Sequence, residues 1–191
     1  MDNVTDDDLI RMYRDGDVEA FETLFARNYA SVYNFARTML GDSSGPEEVL
    51  QETFLAVART AASYTPRGRF RPWLMRIARN RCLNHLEAER ARRVALAEGG
   101  IDVVEIPSDA PSGPDAAEAD ERTEIVRAAI AKLPERQREA VALYAFEQMS
   151  YREIAEVLKM PINTVKTLIH RARATLAQTL EWPQQEQQRG L

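Results

Sequence analysis

A single cysteine, two histidines and no unbroken apolar run of about 18 residues remove several classes of protein at the outset. Cys82 has no partner for an internal disulfide, which fits a reducing compartment. Two histidines and one cysteine cannot assemble a convincing zinc site, so no metal is expected. No glycine-rich phosphate loop is present, and no cofactor is expected. The apolar runs are too short for a transmembrane helix, and the opening MDNVTDDDL is acidic where a secretory signal would be basic and then apolar. These readings predict a cytoplasmic chain without membrane insertion. Catalysis is excluded on similar grounds. Cys82 and His85 lie three residues apart, but Cys82 falls on an apolar helical stripe, where a small buried residue is the better reading than a nucleophile.

What is present is helical periodicity and an uneven distribution of charge. The net charge of −5 argues against a nucleic-acid binder until it is resolved along the chain. Residues 64–93 hold nine Lys/Arg against two Asp/Glu, and residues 159–191 hold five against two. Residues 1–63 hold five against twelve, and residues 94–122 hold one against eight. Two basic islands in an acidic chain point to two contacts with nucleic acid.

The pattern predicts an all-α fold of two helical domains, an N-terminal helical bundle and a C-terminal helix-turn-helix domain, joined by a flexible acidic linker. Thr5 and Asp17 are suited to cap the first two helices. Phe21, Leu24, Phe25, Ala26, Tyr29, Val32, Tyr33, Ala36, Met39 and Leu40 form an apolar stripe at spacings of three and four, which Gly41 ends. GDSSGP then reads as a turn. Pro46 opens a helix whose Val49, Leu50, Phe54, Leu55 and Val57 are expected inside. Pro72 opens a fourth, with Trp73, Leu74, Ile77, Ala78, Cys82 and Leu86 on its apolar side. Domain bounds follow as 5–93 and 123–182, with the linker at 94–122 and a polar tail at 183–191. Thr123 is expected to cap the first helix of the second domain, and Pro134 to open the next.

SYREIAEVLKMPINTVKTLIHRARATL, residues 150–176, reads as a short amphipathic helix, a tight turn and a longer basic helix. Ser150 and Glu153 have the spacing of a capping box. Ile154, Ala155 and Leu158 face inward, as do Val165, Ile169, Ala172 and Leu176 on the second helix, which Asn163 is expected to cap. Asn163, Thr164, Lys166, Thr167, His170, Arg171 and Arg173 are left for the major groove and the phosphates.

The upstream island is of a different kind. The loop YTPRGRFRPW mixes aromatic residues with arginines, a combination suited to stacking unpaired bases. Tyr64, Arg67, Arg69, Phe70, Arg71 and Trp73 are its candidates. On the helix that follows, Arg76, Asn80 and Asn84 share one face at spacings of four. Amide side chains there can hydrogen-bond base edges while guanidinium groups hold phosphates. For Trp73 taken alone, a place in the core is the stronger reading.

LPERQREAVALYAFEQMSYREIAEVLKMPINTVKTLIHRARATL, residues 133–176, resembles the promoter −35 reading domain of bacterial sigma factors. FETLFARNYASVYNFARTML, PEEVLQETFLAV and FRPWLMRIARNRCLNHLEAERARR resemble the −10 reading domain. The order and spacing are similar to those of the small extracytoplasmic-function (ECF) group. The resemblance implies that Glu48, Gln51, Glu52 and Phe54 dock on core RNA polymerase, with Phe54 as anchor. It implies that the loop 64–71 and the helix through Asn80 and Asn84 hold the melted −10 strand of promoter DNA. The linker would thread toward the polymerase cleft, and an anti-sigma factor is a further implied partner. Lys159 and Asn163 stand where many members carry glycine, and Leu168 where many carry arginine. Lys159 at a left-handed position would cost about 1 kcal/mol.

Two other functions compete. A conventional regulator would pair the same four-helix output module with a sensing domain, but no βαβ receiver pattern precedes it. An enzyme would need a nucleophile or metal constellation that this sequence does not supply.

Overall fold

The computed structural model describes residues 4–41, 45–65, 67–98 and 117–180. These residues form eight α-helices and one 3-10 turn, with no strand among them. They divide into two compact units, residues 1–110 and 111–191.

The first unit begins with α1, Asp6–Arg14, whose start is fixed by a reciprocal cap. The Asp8 amide donates to the Thr5 hydroxyl at 3.2 Å and the Thr5 amide donates to the Asp8 carboxylate at 3.1 Å. The Thr5 hydrogen bonds hold the Asp8 carboxyl below its ordinary value. Three aspartates in the first turn also face the positive end of the helix dipole. The next helix, α2, spans Val18–Leu40; Asp17 caps it through the Ala20 amide, and Gly41 stops it at φ 80°. Its fully covered face is Leu24, Val32, Phe35, Ala36 and Met39. Phe35 was absent from the stripe drawn on the sequence. Of the residues placed on that stripe, Ala26 and Tyr29 are exposed. Asn28 takes a buried place on the same helix because its amide donates to Asp6 and to the Leu24 carbonyl, both at 3.0 Å. A buried polar group is tolerated only when paired in this way.

Helix α3 covers Gly45–Thr60, and a 3-10 turn, Ala61–Ser63, follows it. Val49, Leu50, Thr53, Phe54 and Val57 are buried, whereas Leu55, expected inside, is 55% exposed. Helix α4 runs from Phe70 to Glu98, starting before Pro72 and continuing past the expected domain bound at residue 93. Leu74, Met75, Ala78 and Cys82 are wholly buried on it. Helices α1, α3 and α4 all pack on α2, which makes α2 the centre of the bundle.

The second unit contains α5 (Ala117–Ala131), α6 (Glu135–Ala145), α7 (Tyr151–Leu158) and α8 (Ile162–Thr179). Because α5 starts at Ala117, Thr123 lies within the helix rather than at its cap. The helical ends at 94–98 and 117–122 shorten the expected linker; residues 99–116, the GDSSGP turn at 42–44, Pro66 and the tail 183–191 lie outside the described residues. Ile130, Leu133, Val141 and Ala172 form one core cluster, against which Val126, Phe146 and Leu176 pack. Ile154, Val157, Val165 and Ile169 are fully buried nearby. At about 1.5–3 kcal/mol per fully buried large aliphatic side chain, these contacts rather than helix propensity hold the unit together.

Candidate nucleic-acid interface

The second unit presents the simpler surface. The α7 start is locked by a capping box: the Ser150 amide donates to Glu153 at 2.8 Å and the Glu153 amide to the Ser150 hydroxyl at 3.3 Å. Its end is Lys159, in the left-handed region at φ 52°, ψ 49°. The Lys159 and Met160 amides both donate to the Ala155 carbonyl, closing the turn that aims α8 away from α7. The left-handed conformation, weighed in the sequence only for its cost, is therefore the one Lys159 adopts. The expected Asn163 cap is not formed: α8 begins at Ile162 with Pro161 before it, and no side chain caps it. Proline at this place holds the entry geometry without a side-chain acceptor, which leaves the Asn163 amide facing outward.

Along α8, Val165, Ile169 and Ala172 are buried, while Asn163, Thr164, Lys166, Thr167, His170, Arg171 and Arg173 are all exposed. Opposite faces of one helix thus separate packing from polar display. The backbone amides of Ile162 and Asn163 lie at an uncapped helix start, a ready donor set for a phosphate. Arg173 is constrained by more than its own helix. Its guanidinium lies 4.9 Å from the centre of the Tyr144 ring, which stacks on Tyr151 at 5.4 Å. Burial raises the Tyr151 phenol above its ordinary value, so it remains neutral beside that cation.

The basic region of the first unit is organised differently. Arg67, Arg69, Arg71, Asn80 and Asn84 are exposed, and Arg76 is half-buried. A groove between the end of α3 and α4 is lined by Thr60, Ser63, Trp73, Asn80, Arg81 and Asn84. The structure therefore brings three of the sequence-selected residues, Trp73, Asn80 and Asn84, to one concave surface. Tyr64 and Phe70 require correction as base-stacking candidates: they are 8% and 2% exposed. Their rings pack on Trp73 at 4.5 and 5.7 Å and on each other at 5.9 Å, forming a base for the loop rather than its outer surface. Burial and a hydrogen bond to Asp7 push the Tyr64 phenol far above its ordinary value.

That bond introduces residues the sequence reading missed. Asp7 accepts from the Tyr64 hydroxyl at 2.8 Å, from the Arg67 amide at 3.0 Å and from the Phe70 amide at 3.3 Å. Arg14, two turns along α1, donates to the Tyr64 carbonyl at 3.2 Å. No local pattern could have signalled these pairs, because 50 to 63 residues separate the partners.

The third candidate surface is on α3. Glu48, Gln51 and Glu52 are exposed on one face, but Phe54, at 4% exposure, is the core residue its place on the apolar stripe predicted and not the surface anchor the resemblance implied. Its ring is held between Phe25 at 4.7 Å and Phe21 at 6.3 Å. Leu55, seven residues after Glu48, is the apolar side chain that shares the exposed face. Glu48 and Glu52 meet His85 and Arg81 of α4 at 3.7 and 3.8 Å, so the acidic face borders the basic one. No cluster of His, Cys, Asp or Glu suited to a metal occurs among the described residues. No described helix is long and apolar enough to cross a membrane.

Comparison with known proteins converges on one family. The family model for Sigma-70 region 2 matches residues 24–92, and that for Sigma-70 region 4 matches residues 123–176. The ECF RNA polymerase sigma factor SigW of Bacillus subtilis is 30% identical over 176 residues, covering 90% of this chain and 94% of the relative. RNA polymerase sigma-H factor of Pseudomonas aeruginosa is 31% identical over 182 residues, covering 92% and 94% respectively. Among solved structures, CnrH bound to the cytosolic domain of CnrY superposes with a TM-score of 0.69 at 28% identity, covering 92% of this chain and 97% of that one. Sigma factor RpoE of Bartonella quintana, bound to the anti-sigma factor NepR, gives a TM-score of 0.71 at 24% identity over 84% and 96%, a likeness of fold. Two family models in sequence order, relatives matched over nearly their whole length, and the all-helical two-unit fold establish that the chain belongs to the ECF group of sigma-70 family RNA polymerase sigma factors.

Proposed function

We propose that this chain is a promoter-specificity subunit that binds core RNA polymerase and reads a promoter at two elements, with no chemistry of its own. The observation that carries this reading is the division of α8: seven polar or basic side chains exposed on a helix whose other face is packed. A rigid helix of this kind fits the major groove, so α8 takes the −35 duplex, with bases met from its first turns and by Arg171, and phosphates by Lys166 and Arg173. The groove of Trp73, Asn80 and Asn84, together with Arg67, Arg69, Arg71 and Arg76, takes the unpaired −10 strand. The α3 face of Glu48, Gln51, Glu52 and Leu55 docks on the polymerase. Residues 5–93 and 123–182 act as the two reading domains and 94–122 as the acidic connection between them. The solved relatives, one with the cytosolic domain of CnrY and one with the anti-sigma factor NepR, support a protein of the anti-sigma kind as a further partner.

Run-off transcription tests this directly. Purified protein added to core polymerase on a genomic fragment library is expected to start transcripts from a limited set of sites sharing two spaced motifs. Transcription no more selective than that of core polymerase alone would overturn the proposal.

A further inference from the structure

The segment that carries the single-strand arginines is not held by its own helix. Phe70 is the first residue of α4, and its amide has no partner within that helix. Instead it donates to the carboxylate of Asp7, which lies on α1. The other carboxylate oxygen accepts both the Tyr64 hydroxyl and the Arg67 amide. One side chain thus fixes the entry of the segment at Tyr64, its middle at Arg67 and its exit at Phe70. Arg14, on the same face of α1, holds the Tyr64 carbonyl. The Tyr64 ring so placed lies 4.5 Å from Trp73, which lines the groove with Asn80 and Asn84.

We infer that Asp7 is a positioning residue for capture of the unpaired promoter strand. It touches no DNA itself. It presets the backbone bearing Arg67 and Arg69 and the ring that supports Trp73, so the ordering cost is met before the strand arrives. This inference rests on the proposed role of the groove. The geometry makes a specific demand on the residue type. A carboxylate offers only acceptors, and three donors converge on it. Asparagine retains an acceptor for Tyr64 and Arg67 if its oxygen points that way, but then turns its amide toward the Phe70 N–H. Alanine removes all three bonds.

The test uses the full chain bound to core polymerase, with a single-stranded oligonucleotide carrying the −10 sequence recovered from the run-off selection. Asp7→Ala is expected to weaken binding of that strand by about tenfold or more, and Asp7→Asn by about threefold, the scale of lost or weakened charge-assisted hydrogen bonds. Affinity for core polymerase and for −35 duplex is expected to remain within about twofold of the parent. A second measurement needs no DNA: in a Trp182→Phe background, acrylamide quenching of Trp73 fluorescence should rise from parent to Asp7→Asn to Asp7→Ala. Parental strand affinity in Asp7→Ala would overturn the inference. So would an equal loss of strand, polymerase and −35 binding, which marks general unfolding, and so would unchanged Trp73 quenching in both variants. A parent holoenzyme that prefers no −10 strand would refute the reading of the groove instead, and the quenching series would still decide whether Asp7 holds the segment.

Discussion

The two basic regions solve the same problem by different means. On α8, one helix supplies both the scaffold and the display, and all seven residues selected from the sequence are exposed. In the 64–84 region, display depends on other elements: α1 grips the loop through Asp7 and Arg14, and Tyr64 and Phe70 are withdrawn to support Trp73. A helix face is set by a 3.6-residue period, which the sequence states outright. A loop has no period, so which of its aromatic side chains meet solvent is decided by what packs beneath it.

Substitutions at Phe54 and Leu55 separate support from display in the first unit most sharply. Phe54→Ala empties a site between Phe21 and Phe25 and is expected to cost roughly 3–5 kcal/mol, measured by urea unfolding. Leu55→Ala, next to it but exposed, should change stability by no more than about 0.5 kcal/mol while weakening association with core polymerase in an anisotropy titration. If the two variants show equal stability, the division between core and docking face is wrong.

On α8 the contrast lies between types of contact. Arg171→Ala should weaken −35 binding by about 1–3 kcal/mol if it meets a base edge, and Lys166→Ala should lower the salt-dependence slope by about 1 if it meets a phosphate. Binding isotherms at several salt concentrations distinguish them, and parental binding by both variants would remove α8 from the interface.

The smallest effect is expected at the turn that fixes α8. Lys159 occupies a left-handed conformation at φ 52°, where a side chain is strained. Lys159→Gly is expected to stabilise the second unit by up to about 1 kcal/mol in thermal unfolding, the gain being limited by the greater freedom of glycine in the unfolded chain. Loss of stability would show that the lysine contributes more through its stem than its backbone costs.

Caps and faces were legible because they are local. Thr5, Asp17 and Ser150 bond groups within three residues, and each capped its helix as the sequence predicted. Asn163 was misread because Pro161 takes the cap position and α8 starts two residues earlier, a shift that propensity does not resolve. The anchor role of Phe54 came from the resemblance, against its place on the apolar stripe. Phe54 and Leu55 were both expected inside, yet adjacent positions on a helix differ by about 100° and only Phe54 is buried. A register error of one residue therefore exchanges inside for outside.

By itself, the amino-acid order determined an all-helical chain, the helix-turn-helix, the two basic islands and the outward face of α8, because each depends on neighbours within a turn or two. Tertiary structure alone decided that Tyr64 and Phe70 are internal and that Asp7 organises a segment some 60 residues away. Burial and long-range hydrogen bonds are properties of surfaces brought together in space, and no periodicity along the chain encodes which surfaces will meet.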